Sequence, residues 1–466
     1  MTPMPYDVAG RHVAVVGGGR SGLAVSRLVV RQGGRVTLID AKAELAERDQ
    51  LQAIGVELCL GAMPDDVPAD ARLVVVSPGV PADARPLAAA RTRGVRVIGE
   101  LEFAASLLTG PIIAITGSKG KSTTTTLVGR MIEASGQPVL VGGNIGVPLS
   151  AQVDASTPAT WHVVETSSFQ LETIDRYHPR VAAWLNFSPD HLDRHVTEDA
   201  YERAKARIFE NQTTEDWAVV PAGDHRIRAH ASRSGAGIVT FGTDLAAEDG
   251  VGLAGDAIAR RHSGGPAEAL VPVSSVRLTG RHMLENVMAA CAVAELAGVS
   301  GTEMTRAVEG FTGLEHALEY VATIGAARLY NDSKATNVDA ATMAVEAFDG
   351  PVTAIVGGVY KGGDFARLGP PLQARGGSVV AIGDAAPLVE QALAPFVPVT
   401  REASMDGAVA AALAQRRDGG VVLLAPACAS FDMFRDYADR GRVFKAIVAR
   451  LAAAAGGQEE VRNGEQ

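Results

Sequence analysis

Aromatic residues are scarce in this chain. Phe, Trp and Tyr make up 5% of 466 residues, although 47% are hydrophobic. Its cores must therefore be built mainly from Ala, Val, Leu and Ile. That bias, with 51 glycines, suits α/β architecture, where parallel strands are buried on both faces and turn sharply into helices. Cysteine is scarcer still: Cys59, Cys291 and Cys428 lie far apart in apolar or small-residue surroundings. With no CxxC or metal-type spacing, they read as buried thiols of a reducing compartment. Long apolar runs are missing too. None reaches the ~18 residues that suggest a membrane-spanning helix, and the opening MTPMPYDVAGRHVAVVGGG has no signal-peptide run. A cytoplasmic, soluble protein without membrane insertion is expected. Basic charge is also short, with 43 Lys and Arg against 53 Asp and Glu and a formal net charge of −10. This argues against a nucleic-acid partner. It leaves room for anionic small ligands, which local loops, helix N-termini and metal ions hold.

What is present is an alternation of strand and helix signals over a length that suits roughly three domains. HVAVVGGG, RVTLID, VELCLG, LVVVSPGV and VRVIGE are strands of a first unit, with a helix over RSGLAVSRLVVRQG. A second begins near Gly110 with PIIAIT and a helix to about Ala134. PVLVGGNIG, WHVVETSSFQL, RVAAWLNFS, DWAVVPAGD and GIVTFG follow as strands. Asp244 to Pro272 reads as a polar excursion with short antiparallel strands, and HMLENVMAACAVAELAG as a helix closed by Gly298. A third unit starts near Gly313, with strands in ARLYNDS, VTAIVGGV, SVVAIGD and GGVVLLAPA and a helix beginning near Ser430. The tail from about Ala452 reads as frayed.

Four constellations carry chemistry. Gly17-Gly18-Gly19-Arg20-Ser21-Gly22 matches G-x-G-x-x-G between a strand and a helix, with Asp40 ending the next strand. A nicotinamide site, an unspecified diphosphate site and a plain tight turn are all open for it. TGSKGKST (116–123) has only two residues between its glycines, where the usual phosphate loop has four. Gly117 and Gly120 would let backbone amides curl around a phosphate, Lys121 would supply a cation, and Ser122 a hydroxyl for Mg²⁺. Such a site needs an acid at a neighbouring strand tip, and Glu165 in HVVETSS stands at one. PDHLDRHVTEDAYERAKARIFE then brings Asp190, His191, Asp193 and His195 together ahead of a helix capped by Thr197. Taken alone, Lys205 on that helix is a surface lysine. In the last unit, YNDSKATN, GGVYKGGDF and LLAPACASFDMF each follow a strand, which places three loops on one sheet edge.

Together these motifs resemble the Mur ligases, ATP-dependent enzymes that add amino acids to a cell-wall precursor. The resemblance spans about residues 10–450. It implies an α/β chain of three domains: a Rossmann-like one over 1–104 for the UDP precursor, a P-loop ATPase-type one over 105–312 for ATP and Mg²⁺, and a Rossmann-like one over 313–466 for glutamate. It implies ATP, D-glutamate and UDP-N-acetylmuramoyl-L-alanine as small-molecule partners of a monomer, joined through an acyl phosphate. Gly19, Arg20, Ser21, Asp40, Gly79 and Asn144 would contact the UDP precursor. Ser118, Lys119, Gly120, Lys121, Ser122, Thr123, Asn286, Asp332 and Lys334 would contact ATP. Two Mg²⁺ sites would draw on Ser122, Glu165, His191 and Lys205, the last as a CO₂-derived carbamate that turns a repelling ammonium into an anionic ligand. Lys121, His191 and Lys205 would carry the chemistry, and Thr336, Lys361, Ser430 and Phe431 would hold glutamate.

The chain departs from the family's usual pattern at Ala317 (commonly Arg), Met283 (commonly Asn), Lys119 (commonly Asn) and Tyr437 (often Phe). Four rivals stand beside this reading: a Mur or folylpolyglutamate-type ligase of other specificity, a variant that adds L-glutamate, an ATP-binding regulator without catalysis, and a nicotinamide oxidoreductase.

Overall fold

The protein is described by a computed structural model covering residues 6–45, 47–188, 192–244, 249–278, 280–417 and 419–463, without the side chains of 192, 193 and 455–463. The chain divides into two compact units. The first comprises residues 1–276 and 285–310, the second 277–284 and 311–466. Three sheets run through them in sequence, so the expected α/β architecture is present.

The first sheet contains β1 (His12–Val16), β2 (Arg35–Asp40), β3 (Glu57–Leu60), β4 (Ala71–Val76) and β5 (Arg96–Gly99). Its order is β3-β2-β1-β4-β5 and every pairing is parallel. All five residues of β1 are buried, as a central strand covered on both faces requires. The helix Arg20–Arg31 buries Val25, Leu28 and Val29 on one stripe. Strand order reverses between β1 and β4, so the loops after these two strands form the crevice where such sheets take ligands.

The second sheet follows in the same unit. Its strands are β6 (Ile112–Thr116), β7 (Val139–Gly143), β8 (Trp161–Glu165), β9 (Val181–Trp184), β10 (Trp217–Pro221), β11 (Gly237–Asp244), β12 (Gly250–Ala254), β13 (Ala257–Arg261) and β14 (Ala267–Pro272). The order is β14-β13-β12-β11-β10-β9-β6-β8-β7. Strands β7 to β12 pair in parallel around β6. The pairs β12–β13 and β13–β14 are antiparallel, as expected of the polar excursion. The helix Arg281–Leu296 is buried continuously from Asn286 to Ala294, which marks it as a core helix rather than an amphipathic cover.

The third sheet lies in the second unit, with β15 (Glu319–Ile324), β16 (Ala327–Asn331), β17 (Val352–Gly357), β18 (Ser378–Ile382), β19 (Val399–Arg401) and β20 (Val421–Leu424) in the order β15-β16-β20-β17-β18-β19. Two of these strands escaped the sequence reading. β15 is an edge strand with no fully buried residue, joined to β16 by the two-residue turn Gly325-Ala326. β19 has three residues and a half-exposed face.

Two expectations fail here. The last helix starts at Tyr437, not near Ser430. Ser430 accepts from the Met433 and Phe434 amides, and the chain turns through 431–436 before the helix begins. The tail expected to fray from Ala452 continues as helix to Asn463.

Candidate functional site

The phosphate-type loop sits where the second sheet reverses. β6 lies between β8 and β9, with Ile115 opposite Glu165 and Thr116 opposite Trp184. The loop after β6 therefore has the tip of β8 on one side and the residues after β9 on the other. Gly120 ends the loop in the left-handed region (φ +80°) and precedes the helix Lys121–Ala134. That conformation favours glycine, and space demands it as well. A Cβ at this position would lie 2.3 Å from Asn286 Oδ1. Asn286, the expected adenine contact, thus touches the loop directly.

The loop is braced from β9. The Lys119 amide donates to Asn186 Oδ1 (2.9 Å), and Asn186 Nδ2 returns a bond to the Lys119 carbonyl (3.0 Å). Ser118 Oγ donates to the Ser188 carbonyl (2.8 Å) and lies 3.2 Å from the Tyr201 hydroxyl. Its backbone is engaged as well, the amide donating to the Asn186 carbonyl (3.1 Å), so Ser118 braces the loop through both side chain and main chain. Ser122 and Thr123 open the helix, Thr123 nearly buried and Ser122 partly so.

Glu165 is 2% exposed. Its Oε1 accepts from Asn144 Nδ2 at 2.7 Å, while its buried Oε2 finds no hydrogen-bond partner. A buried carboxylate oxygen left unpaired is costly unless a cation completes it. Two ammonium groups stand nearby. Lys121 Nζ donates to the carbonyls of Gly117 (2.8 Å) and Ser118 (3.0 Å), and Lys205 Nζ donates to the same Gly117 carbonyl at 2.8 Å. Lys205 is 1% exposed and lies 4.6 Å from the Tyr201 ring centroid. The surface reading of Lys205 is therefore wrong, because the helix Glu198–Ala206 turns it inward beside the loop. These groups fit an Mg²⁺–triphosphate: an orphaned anionic oxygen, a hydroxyl at Ser122, amides at a helix N-terminus and two cations. Among the described residues no three His, Cys, Asp or Glu side chains cluster as a metal site. His191, the expected metal and catalytic histidine, lies outside the described residues.

At the first glycine loop the third glycine explains itself. A Cβ on Gly22 would lie 1.8 Å from the Gly17 carbonyl, so only glycine lets the helix start this close to the strand. Asp40 does not project freely. Its carboxylate accepts from the Gly18 amide through one oxygen and from the Lys42 amide (2.8 Å) through the other. Arg20 reaches the Gly146 carbonyl at 2.9 Å, joining this loop to the one that carries Asn144. Gly19 is the helix N-cap, and no side chain caps the helix there, so its first amides are left to a ligand or water. Ser21 occupies the first turn. Ser77 Oγ donates to the Gly17 carbonyl (2.8 Å), which sets the exposed Gly79 beside the glycine loop.

In the second unit, β16, β20 and β17 are neighbours, and their C-terminal loops carry the remaining expected residues. Asp332 accepts from the Leu318 amide (3.1 Å), and the Lys334 amide donates to the His316 carbonyl (2.9 Å). The Ala427 amide donates to the Ala335 carbonyl (2.9 Å), tying the Thr336 loop to the Ser430 loop. Lys361 is exposed between Tyr360 and Gly362, Ser430 is buried, and Phe431 is 73% exposed. Met283 and Ala317, two of the departures, line one cavity of about 200 Å³ with Arg277, Tyr320 and Tyr330.

Sequence reasoning missed Asn186, Tyr201 and Arg440. Asn186 follows β9 directly, the same strand-tip signal that exposed Glu165. Tyr201 lies one helical turn before Lys205. Arg440 is 1% exposed and donates to the Ser333 hydroxyl and carbonyl (both 2.9 Å) and to the Cys428 carbonyl (3.1 Å). Burial pulls its pKa down to about 10. It clamps two of the three loops, but nothing in its local sequence distinguishes it from a surface arginine.

Comparison with known proteins agrees with this organisation. Residues 11–99 match the family described as Mur ligase MurD-like, N-terminal domain, residues 115–294 the Mur ligase middle domain, and residues 316–428 the Mur ligase, glutamate ligase domain. A protein of Koribacter versatilis named UDP-N-acetylmuramoylalanine–D-glutamate ligase is 42% identical over 449 residues, 96% of this chain and 99% of that one. One of the same name from Acidobacterium capsulatum is 43% identical over 456 residues, 97% and 99%. The solved UDP-N-acetylmuramate–alanine ligase of Thermotoga maritima shares the fold with a TM-score of 0.56 at 18% identity, covering 95% of this chain and 99% of that one. With all three parts matched in order and relatives aligned end to end, the chain belongs to the Mur ligase family.

Proposed function

We propose that the protein joins D-glutamate to UDP-N-acetylmuramoyl-L-alanine with hydrolysis of ATP to ADP and phosphate, a step in peptidoglycan precursor synthesis. One observation carries this reading: the unpaired, buried Glu165 oxygen beside a two-residue phosphate loop, in a chain whose full-length relatives bear that enzyme's name. The first glycine loop is then a diphosphate site for the nucleotide sugar, and the nicotinamide reading is set aside.

The precursor carboxylate attacks the γ-phosphate, and the amine of D-glutamate displaces phosphate from the resulting acyl phosphate. Every species on this path is anionic, so the work of the protein is to hold negative charge in place. Lys121 is poised on two loop carbonyls and would exchange them for phosphate oxygens. The amides at the start of the helix Lys121–Ala134 face the same anion. Ser122 and Glu165 would hold one Mg²⁺, and His191 with carbamylated Lys205 a second. The bound metal supplies positive charge to the phosphate oxygens. Support for the carbamate is electrostatic: two ammonium groups converge on the Gly117 carbonyl, and converting one to an anion removes their repulsion. Asn144 holds Glu165 and borders the precursor loop. Lys361 would pair with a glutamate carboxylate, with Thr336, Ser430 and Phe431 around it, and Asp332 and Lys334 would contact ATP. We read the enzyme as a cytoplasmic monomer. Among the described residues no helix is long and apolar enough to cross a membrane.

The test is phosphate release from ATP with UDP-N-acetylmuramoyl-L-alanine and a panel of amino acids. Release with D-glutamate is expected. Release only with L-glutamate or another amino acid overturns the assignment.

A further inference from the structure

His195 and Arg194 stand in the acidic-histidine motif, yet the reaction gives them no role. In the structure they form part of a continuous stack. The Arg194 guanidinium lies 4.0 Å from the Phe169 ring centroid. Phe169 stacks on His195 (5.1 Å, 19°), and His195 packs on Tyr201 (5.1 Å). The Tyr201 ring in turn faces Lys205 Nζ. Glu172 pins the outer end, 3.6 Å from Arg194 and 3.1 Å from His195 Nδ1, and Ser168 Oγ sits 2.9 Å from His195 Nε2.

The free edge of the guanidinium does one more thing. It donates to the Pro78 carbonyl (2.7 Å) and the Val80 carbonyl (3.2 Å). These two groups flank Gly79 in the loop after β4, at the strand-order reversal of the first sheet. In a trans peptide the C=O and the following N–H point to opposite sides. Holding the Pro78 carbonyl toward Arg194 therefore turns the Gly79 N–H away from it. Gly79 is exposed, and its N–H has no acceptor among the described residues. Val80 precedes Pro81, which has no N–H, so Gly79 is the donor this loop can offer.

We infer that Arg194 is a positioning residue for the precursor: it fixes the Pro78–Gly79 peptide so that the Gly79 N–H meets a diphosphate oxygen. The stack beneath it holds the guanidinium plane and ties this loop to the helix that carries Lys205. The inference rests on reading the first glycine loop as a nucleotide-diphosphate site. Lysine cannot replace Arg194 fully, because a single ammonium cannot both lie flat on Phe169 and fork to two carbonyls.

The experiment compares wild type, Arg194→Ala, Arg194→Lys and Phe169→Leu by steady-state kinetics and by calorimetric titration with UDP, which needs no turnover. Arg194→Ala should raise the KM for the precursor at least tenfold and weaken UDP binding similarly. The KM values for ATP and D-glutamate should stay within about threefold, as should kcat at saturation. Arg194→Lys and Phe169→Leu should fall between wild type and Ala. An unchanged precursor KM and UDP affinity, or an equal rise in all three KM values, overturns the inference. A wild type that binds UDP but does not turn over refutes the reaction alone, and the UDP titrations still decide the role of Arg194. A wild type that does not bind UDP overturns both.

Discussion

Replacing Gly120 by alanine tests whether the short loop is a nucleotide cradle. Two costs arise at this one position. The left-handed backbone at φ +80° disfavours any residue with a Cβ by about 1–2 kcal/mol. The new methyl would also lie 2.3, 2.8 and 2.9 Å from Oδ1, Cγ and Nδ2 of Asn286, so the whole amide must move. The first cost alone corresponds to about 5- to 30-fold in nucleotide affinity if the loop must hold this shape to bind. Displacing Asn286 adds to it. We expect the KM for ATP to rise at least tenfold and the precursor KM to change less than twofold. Fluorescence titration with a labelled ADP should show the same loss. Gly120→Asn separates the two costs, because asparagine tolerates the left-handed region while keeping the Cβ. Combining Gly120→Ala with Asn286→Ala should be less damaging than the sum of the single effects, since the clash disappears. If Gly120→Ala binds nucleotide within twofold of wild type, the loop is not the cradle described here.

Three further outcomes are expected. Glu165→Gln keeps an acceptor for Asn144 but removes the charge, and kcat should fall at least about 100-fold with a steeper Mg²⁺ requirement; wild-type kcat would remove Glu165 from the metal site. Lys205→Ala should be nearly inactive and regain activity with added formate or acetate, whereas full activity without them would refute the carbamate. His162 is fully buried against Ser156 Oγ (2.8 Å), and burial lowers its pKa from 6.5 to about 4. Between those values the unfolded chain binds more protons than the folded one, so this residue makes stability fall as pH drops from about 6.5 to about 4. The chemical-denaturation midpoint of His162→Gln should show a flatter slope over that window, and an identical slope would refute the buried neutral state.

What could be read from the sequence follows from which forces are local. Strands such as HVAVV and IIAIT declare themselves because a doubly covered strand is apolar throughout, and Gly17, Gly22, Gly117 and Gly120 because the turns they make admit little else. Edge strands β15 and β19 carry no such run, since only part of each packs on the core: Val321, Ala322 and Ile324 of β15 and Val399 of β19 are partly buried there. The same division runs through the site. Glu165 and the loops after β16, β17 and β20 were legible because strand tips at a sheet's carboxyl edge are where side chains meet ligands. Asn186 shares that strand-tip position but acts on the Lys119 backbone, 67 positions away, and Arg440 and Arg194 act on backbone carbonyls brought near by the fold, 107 (Arg440 to Ser333) and 116 (Arg194 to Pro78) positions away. A side chain that binds substrate is constrained by chemistry and leaves a motif. One that aims a peptide group is constrained only by geometry, and any arginine in the right place can do it. The inward turn of Lys205 lies between these cases. Its helix pattern permits either face, and it is contacts made in the fold, the Gly117 carbonyl and the Tyr201 ring among them, that set which one is buried.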